Sequence, residues 1–192
     1  MIDGVTDTEA AILDAALEEV LAHGIRRTTA SDIARRCGIA RQTLYRYWPD
    51  VQSVFAALVT RELLAVLPSG ASTASDLPEF VSVLVDTADR VRRLPLVDRL
   101  RETDPELFAR YVLHRLGTSQ RTIHAELARQ IGAAQRAGFV RQWEPSQLAA
   151  MVLLIAQSAV LSASVVAEWL PAESWRTELG RALAGYLEVP AA

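Results

Sequence analysis

A helical hydrophobic period that recurs along the chain, broken only by caps, glycines and prolines, constrains the fold most. Ile12, Leu13, Ala16, Leu17, Val20 and Leu21 share one face of a helix that Thr6-x-x-Glu9 opens as a capping box and Gly24 closes. Thr29 is placed to cap a short second helix, Asp32 suits its first turn, and Gly38 stops it. A third short helix covers Arg41 to Tyr47. Pro49 breaks it, and Asp50 caps a fourth helix that runs to Val66. Pro68 to Ser75, rich in Ser, Ala and Gly, reads as a loop. Asp76 then opens a helix with Leu77, Phe80, Val81, Leu84, Ala88 and Val91 on one face. Pro95 begins a short piece. Asp104-Pro105 starts a long helix to Arg136, with Phe108, Val112, Leu116, Ile123, Leu127 and Ile131 inward, and Gly138 ends it. The last two helices start near Pro145 and Pro171. No stretch alternates apolar and polar residues for long enough to form a strand. The expectation is an all-α chain of about nine helices.

Hydrophobic residues make up 51% of the 192 residues and charged ones 22%, which excludes a disordered chain. The net charge of -3 excludes a global attraction for nucleic acid, so the distribution of charge matters. Every basic residue is arginine. From Gly24 to Tyr47, Arg26, Arg27, Arg35, Arg36, Arg41 and Arg46 stand against one acid, Asp32. Such a cluster is either an electrostatic footprint or a solvated face. Cys37 is the only cysteine, so no intramolecular disulfide forms and a cytoplasmic setting is expected. Met1 to Thr8 holds no basic n-region, and no secretory signal is expected. Pro145 to Ala167 is uncharged and long enough to span a bilayer, but Gln147, Gln157, Ser158, Ser162 and Ser164 are spread along it. A soluble helix buried on two sides has the same composition, and no membrane partner is expected. His23, His114 and His124 are too dispersed for a metal site, and no catalytic triad or phosphate loop occurs. Neither a cofactor nor an enzymatic activity is expected.

The most informative stretch is Thr28 to Trp48, TTASDIARRCGIARQTLYRYW. Two short helices are joined by a tight turn at Cys37-Gly38-Ile39. Ile33, Ala34, Ile39, Leu44 and Trp48 are spaced to share a small core. Arg41, Gln42, Thr43, Tyr45, Arg46 and Tyr47 are left largely outward. A short helix rich in donors fits the DNA major groove, where arginine pairs with guanine O6 and N7 and glutamine with adenine N6 and N7. Threonine and tyrosine hydroxyls suit phosphates.

The run from Ile12 to Val59 resembles the DNA-binding domain of TetR-family repressors. The matching elements are Ala15-Ala16, Gly24, Thr28-Thr29, Ile33-Ala34, Gly38-Ile39 and Thr43-Leu44-Tyr45-x-Tyr47-Trp48, with Trp48 where phenylalanine is commoner. Three positions depart from the pattern. Ala40 replaces a capping serine, Val51 stands where lysine often contacts phosphate, and Val20 replaces an aromatic. The resemblance implies a helix-turn-helix domain over residues 1–49 and a helical ligand-binding and dimerisation domain over 50–192. It further implies a repressor that binds a pseudo-palindromic double-stranded DNA operator as a homodimer and is released by a small-molecule inducer. DNA contacts are expected from Thr28, Thr29, Arg41, Gln42, Thr43, Tyr45, Arg46 and Tyr47.

A largely apolar inducer is expected among Phe80, Leu84, Phe108, Tyr111, Val112, Met151 and Gln157. The helix from Pro145 to Glu168 is apolar or small on every face, more than one core can cover. Ala156, Ala159, Ser162 and Ala163, with Trp175, Leu179, Leu183 and Tyr186 of the final helix, are expected at a twofold interface. The sequence leaves open an activator with the same DNA-binding domain, and a helical ligand-binding protein or enzyme whose basic segment is incidental.

Overall fold

The computed structural model describes residues 3–68, 74–104, 106 and 118–190, with backbone alone at 3–6 and 118–119. Among these residues there are nine helices and no strand. They are α1 (Asp3–His23), α2 (Ala30–Cys37), α3 (Arg41–Tyr47), α4 (Val51–Ala65), α5 (Leu77–Arg92), α6 (Pro95–Thr103), α7 (Thr118–Arg136), α8 (Pro145–Ser162) and α9 (Ala172–Leu187). The all-α expectation holds, but boundaries differ. α1 begins at Asp3, so Thr6 lies inside the helix rather than at its cap. The uncharged segment leaves the helix after Ser162 and continues in turns before α9.

The chain forms two compact units, one of residues 1–65 with 94–119, the other of 66–93 with 120–192. This division differs from the expected boundary at residue 50. α4 belongs to the first unit because Val54, Phe55 and Leu58 are buried with Ile12, Ala16 and Val20 of α1. Leu96 and Leu100 bring α6 into the same core. A helix pattern shows that one face is apolar, not which core receives it.

In the first unit, α2 is tied to α1 by Arg36, whose guanidinium donates to Glu19 at 2.7 Å and Glu18 at 2.8 Å. Arg61 of α4 donates to Asp14 of α1 at 2.7 Å. Gly24 (φ +81°) ends α1, and Thr103 of α6 packs so closely that a Cβ there would meet it at 3.2 Å. Gly38 adopts φ +70° and closes α2, its N–H meeting the Arg35 carbonyl while Ile39 N–H reaches Ala34 O at 3.0 Å. Nothing lies within 4 Å of a Cβ added at Gly38, so only the backbone conformation resists substitution. Gly38→Ala is therefore expected to cost about 1–2 kcal/mol in thermal or urea denaturation, the penalty of a left-handed L-residue. An unchanged midpoint would show that the turn does not require this conformation.

The second unit packs α5, α7, α8 and α9 around Phe80, Ile131, Leu148, Leu183 and Leu187, all fully buried. Trp175 donates its indole N–H to Ala159 O at 3.1 Å and joins α9 to α8. Asp89 of α5 sits among Arg92, Arg93 and Arg176. Burial pushes its carboxyl up, but the hydrogen bonds from Arg92 and Arg93 outweigh that and hold it below the ordinary range. The connection after α7 is held by Arg141, which donates to Tyr186 O at 2.7 Å and lies over the Tyr186 ring.

Candidate nucleic-acid interface

The α2–turn–α3 segment is built from its caps outward. Thr29 caps α2 through a complete capping box: its hydroxyl accepts from Asp32 N–H, and the Asp32 carboxylate accepts from Thr29 N–H at 3.1 Å. The Thr29 hydroxyl also donates to that carboxylate at 2.6 Å. These bonds, with Arg35 alongside, hold the Asp32 carboxyl below its ordinary range, so the box stays intact at neutral pH. Ile33, Ala34 and Leu44 are buried, and Ile39 and Trp48 pack partly against the same core. α3 is thereby anchored by a single fully buried residue, Leu44. Ala40 precedes it without a side-chain cap.

The basic cluster resolves into two sets. Arg26 is paired with the buried Asp104 at 2.6 and 2.9 Å, Arg35 with Asp32 at 2.8 Å, and Arg36 with Glu18 and Glu19. Among the described residues, Arg27, Arg41 and Arg46 have no acidic partner, and all three are exposed. Half of the sequence cluster is therefore internally neutralised. Arg41 and Arg46 project from α3, where a groove-entering helix needs unneutralised cations.

Arg41, Gln42, Tyr45 and Arg46 are exposed together on α3. Thr43 and Tyr47 are half-buried, which departs from the expected outward placement. Tyr47 packs against Trp48 with ring centroids 6.0 Å apart, and the Arg46 guanidinium lies 5.3 Å from its ring centre. Thr28 is not available to DNA as expected. It is 4% exposed, and its hydroxyl donates to Gly24 O at 2.9 Å. Its place beside Thr29 gives the two the same sequence signal, and only packing separates them. Arg27, one of the clustered arginines, is an exposed cation just before α2 and joins the candidate surface.

Of the expected ligand residues, Phe80, Leu84, Met151 and Gln157 are described. Phe80 is fully buried and packs on Phe139 with centroids 6.3 Å apart, whereas Met151 is 42% exposed. Leu84 and Gln157 are half-buried, and Gln120 donates to the Gln157 side chain at 3.3 Å. Phe108, Tyr111 and Val112 lie outside the described residues.

The expected interface residues also divide. Trp175, Leu179 and Leu183 are buried inside the protomer, as is Ala163, so these four stabilise the second unit rather than a surface. Ala156, Ala159 and Tyr186 are half-buried and Ser162 is exposed. The uncovered apolar surface is instead the outer side of α8 and the turns after it. Leu154 is 60% exposed, Val165 76% and Trp169 79%, and Met151 and Leu161 lie on the same stripe. Only 22% of Pro145–Ser162 is buried within the protomer. By length and composition, with a mean hydropathy of 1.5, α8 could cross a membrane, but Leu148, Ala149, Val152 and Val160 pack into the second core. The 3–4 spacing of Met151, Leu154, Ser158, Leu161 and Val165 is present in the sequence. It is hidden there because the opposite face is equally apolar.

The family described as bacterial regulatory proteins, tetR family, matches residues 12–58. The chain is similar over nearly its whole length to an uncharacterised HTH-type transcriptional regulator of Mycobacterium tuberculosis. The two are 41% identical over 181 residues, 94% of this chain and 95% of the relative. It is similar in structure to TylP, a TetR regulator from Streptomyces fradiae, with a TM-score of 0.67 and 17% identity, over 97% of this chain and 89% of that one. It is likewise similar to SmeT in complex with triclosan, with a TM-score of 0.61 and 20% identity, over 97% and 96% of the two chains. At these identities the two structures show a shared fold.

Proposed function

Since the chain belongs to the TetR family of bacterial helix-turn-helix transcriptional regulators, we propose that it is a ligand-responsive repressor that grips a pseudo-palindromic operator as a homodimer. The observation that carries the reading is α3 itself. Leu44 anchors it, while Arg41, Gln42, Tyr45 and Arg46 stand exposed with no acid to neutralise the two arginines among the described residues. Arg41 and Gln42, in its first turn, read base edges. Thr29, Arg27, Tyr45 and Arg46 contact phosphates, and Thr43 contributes at the margin. The outer stripe of α8, with Leu154 at its centre, is the twofold contact, since an apolar helix uncovered on one side loses free energy in water. A small, largely apolar inducer is bound within the second unit. Triclosan bound by one fold neighbour supports that reading. Leu84 and Gln157, half-buried in the second unit, are proposed to meet it. The protein acts by binding rather than by catalysis, in the cytoplasm.

The test starts with selection of duplexes from a randomised library by the full-length protein, followed by fluorescence anisotropy at several salt concentrations. Arg41→Ala or Gln42→Ala is expected to lower discrimination between the selected duplex and a base-substituted one by about 1–3 kcal/mol. Arg27→Ala or Arg46→Ala is expected to weaken all duplexes alike and to reduce the salt slope by about one. If no duplex is enriched, or if the Arg41 and Gln42 variants keep the original affinity ratios, base reading by α3 is wrong.

A further inference from the structure

Arg41 and Tyr45 are one turn apart on the exposed face of α3, and they are joined to each other within the protein. The Arg41 guanidinium donates to the Tyr45 hydroxyl oxygen from Nε at 3.2 Å and from Nη2 at 2.8 Å, and its Cζ lies 5.1 Å from the ring centre. An arginine carries five N–H donors in a fixed plane. The tyrosine oxygen occupies the side formed by Nε and Nη2. Among the described residues nothing bonds to the end formed by Nη1 and the second Nη2 hydrogen, and it has the fork geometry that matches O6 and N7 of guanine. The Tyr45 O–H hydrogen is left to donate to a phosphate oxygen.

We propose that Tyr45 is a positioning residue for base recognition: its hydroxyl holds Arg41 with the outer fork of the guanidinium presented to a guanine, and so couples a phosphate contact to a base contact. The inference rests on the operator-binding reading above. Two alternatives are less well supported by the geometry. A tyrosine acting only on phosphate has no need of a guanidinium on its oxygen. A guanidinium stacked on the ring alone would not place both Nε and Nη2 within hydrogen-bond distance of that oxygen. The cost of ordering a long arginine is met in the free protein, so more of its interaction with the base appears as discrimination.

The consequence is specific. Tyr45→Phe keeps the ring and the cation–π contact but removes the oxygen. It is expected to lower the preference for the selected duplex over one changed at the Arg41-read base pair by about tenfold. Preferences at positions read by Gln42 stay unchanged. In the Arg41→Ala background the same tyrosine change is expected to leave that preference as it is, because there is no longer a guanidinium to position. The measurements are anisotropy titrations of the four proteins (wild type, each single variant and the double) against the selected duplex and its single-base variants. Circular dichroism checks that α3, where Tyr45 is exposed, still folds. If Tyr45→Phe leaves the ratio unchanged, with or without a uniform loss of affinity, Tyr45 is a plain phosphate contact and the proposal is overturned. If wild type enriches no duplex, the failure belongs to the operator reading instead.

Discussion

Leu154→Glu is expected to turn the protein into a 21.0 kDa monomer in sedimentation at low micromolar concentration, and to weaken binding to a full operator by about 10²–10⁴-fold. Leu154 is 60% exposed at the middle of the uncovered α8 stripe, between Met151 and Leu161. In a twofold contact the same patch appears on both subunits, so one substitution places two carboxylates in the desolvated seam. Losing the partner removes the second recognition helix, and with it the effective concentration that links two half-sites. The change lies outside the protomer's own core, so the helical signal and the melting of each unit are expected to persist. A variant that remains a dimer and binds the operator normally would show that this stripe is not the interface.

Leu183→Ala is expected to destabilise the second unit by about 2–5 kcal/mol in urea denaturation, because the side chain is fully buried among α5, α8 and α9 and its removal leaves a cavity. The outcome separates two roles that the sequence merges. A residue inside the protomer lowers unfolding stability whether or not a partner is present. A residue at a subunit contact shifts the association constant and leaves monomer stability almost unchanged. Dissociation of the dimer by Leu183→Ala, with less than about 1 kcal/mol lost in unfolding, would return α9's inner face to the interface.

The helix-turn-helix is legible in the sequence because its signals are local. Thr29 and Asp32 are three residues apart, Gly38 is needed where the chain must turn left-handed, and Ile33 and Leu44 must face inward for so short a pair to fold. The exposed set of Arg41, Gln42, Tyr45 and Arg46 follows from the phase of α3 against Leu44. Thr28 reads wrongly because its chemistry is that of a DNA contact. Its hydroxyl is directed to Gly24 O by the bend after α1, a contact that spacing alone does not mark. The count of arginines misleads for the same kind of reason. Asp104 neutralises Arg26 from 78 residues away, and Glu19 neutralises Arg36 from 17.

The sequence by itself determined the all-α class, the position of the helix-turn-helix and the presence of surplus apolar surface near α8, since each depends on periods and caps read within a few turns. Only the tertiary structure decided which core α4 and α6 serve, which side of α8 is left uncovered and whether Trp175, Leu179 and Leu183 face inward. A helix that is apolar all round has no phase of its own, so its buried side is set by the neighbours that pack against it.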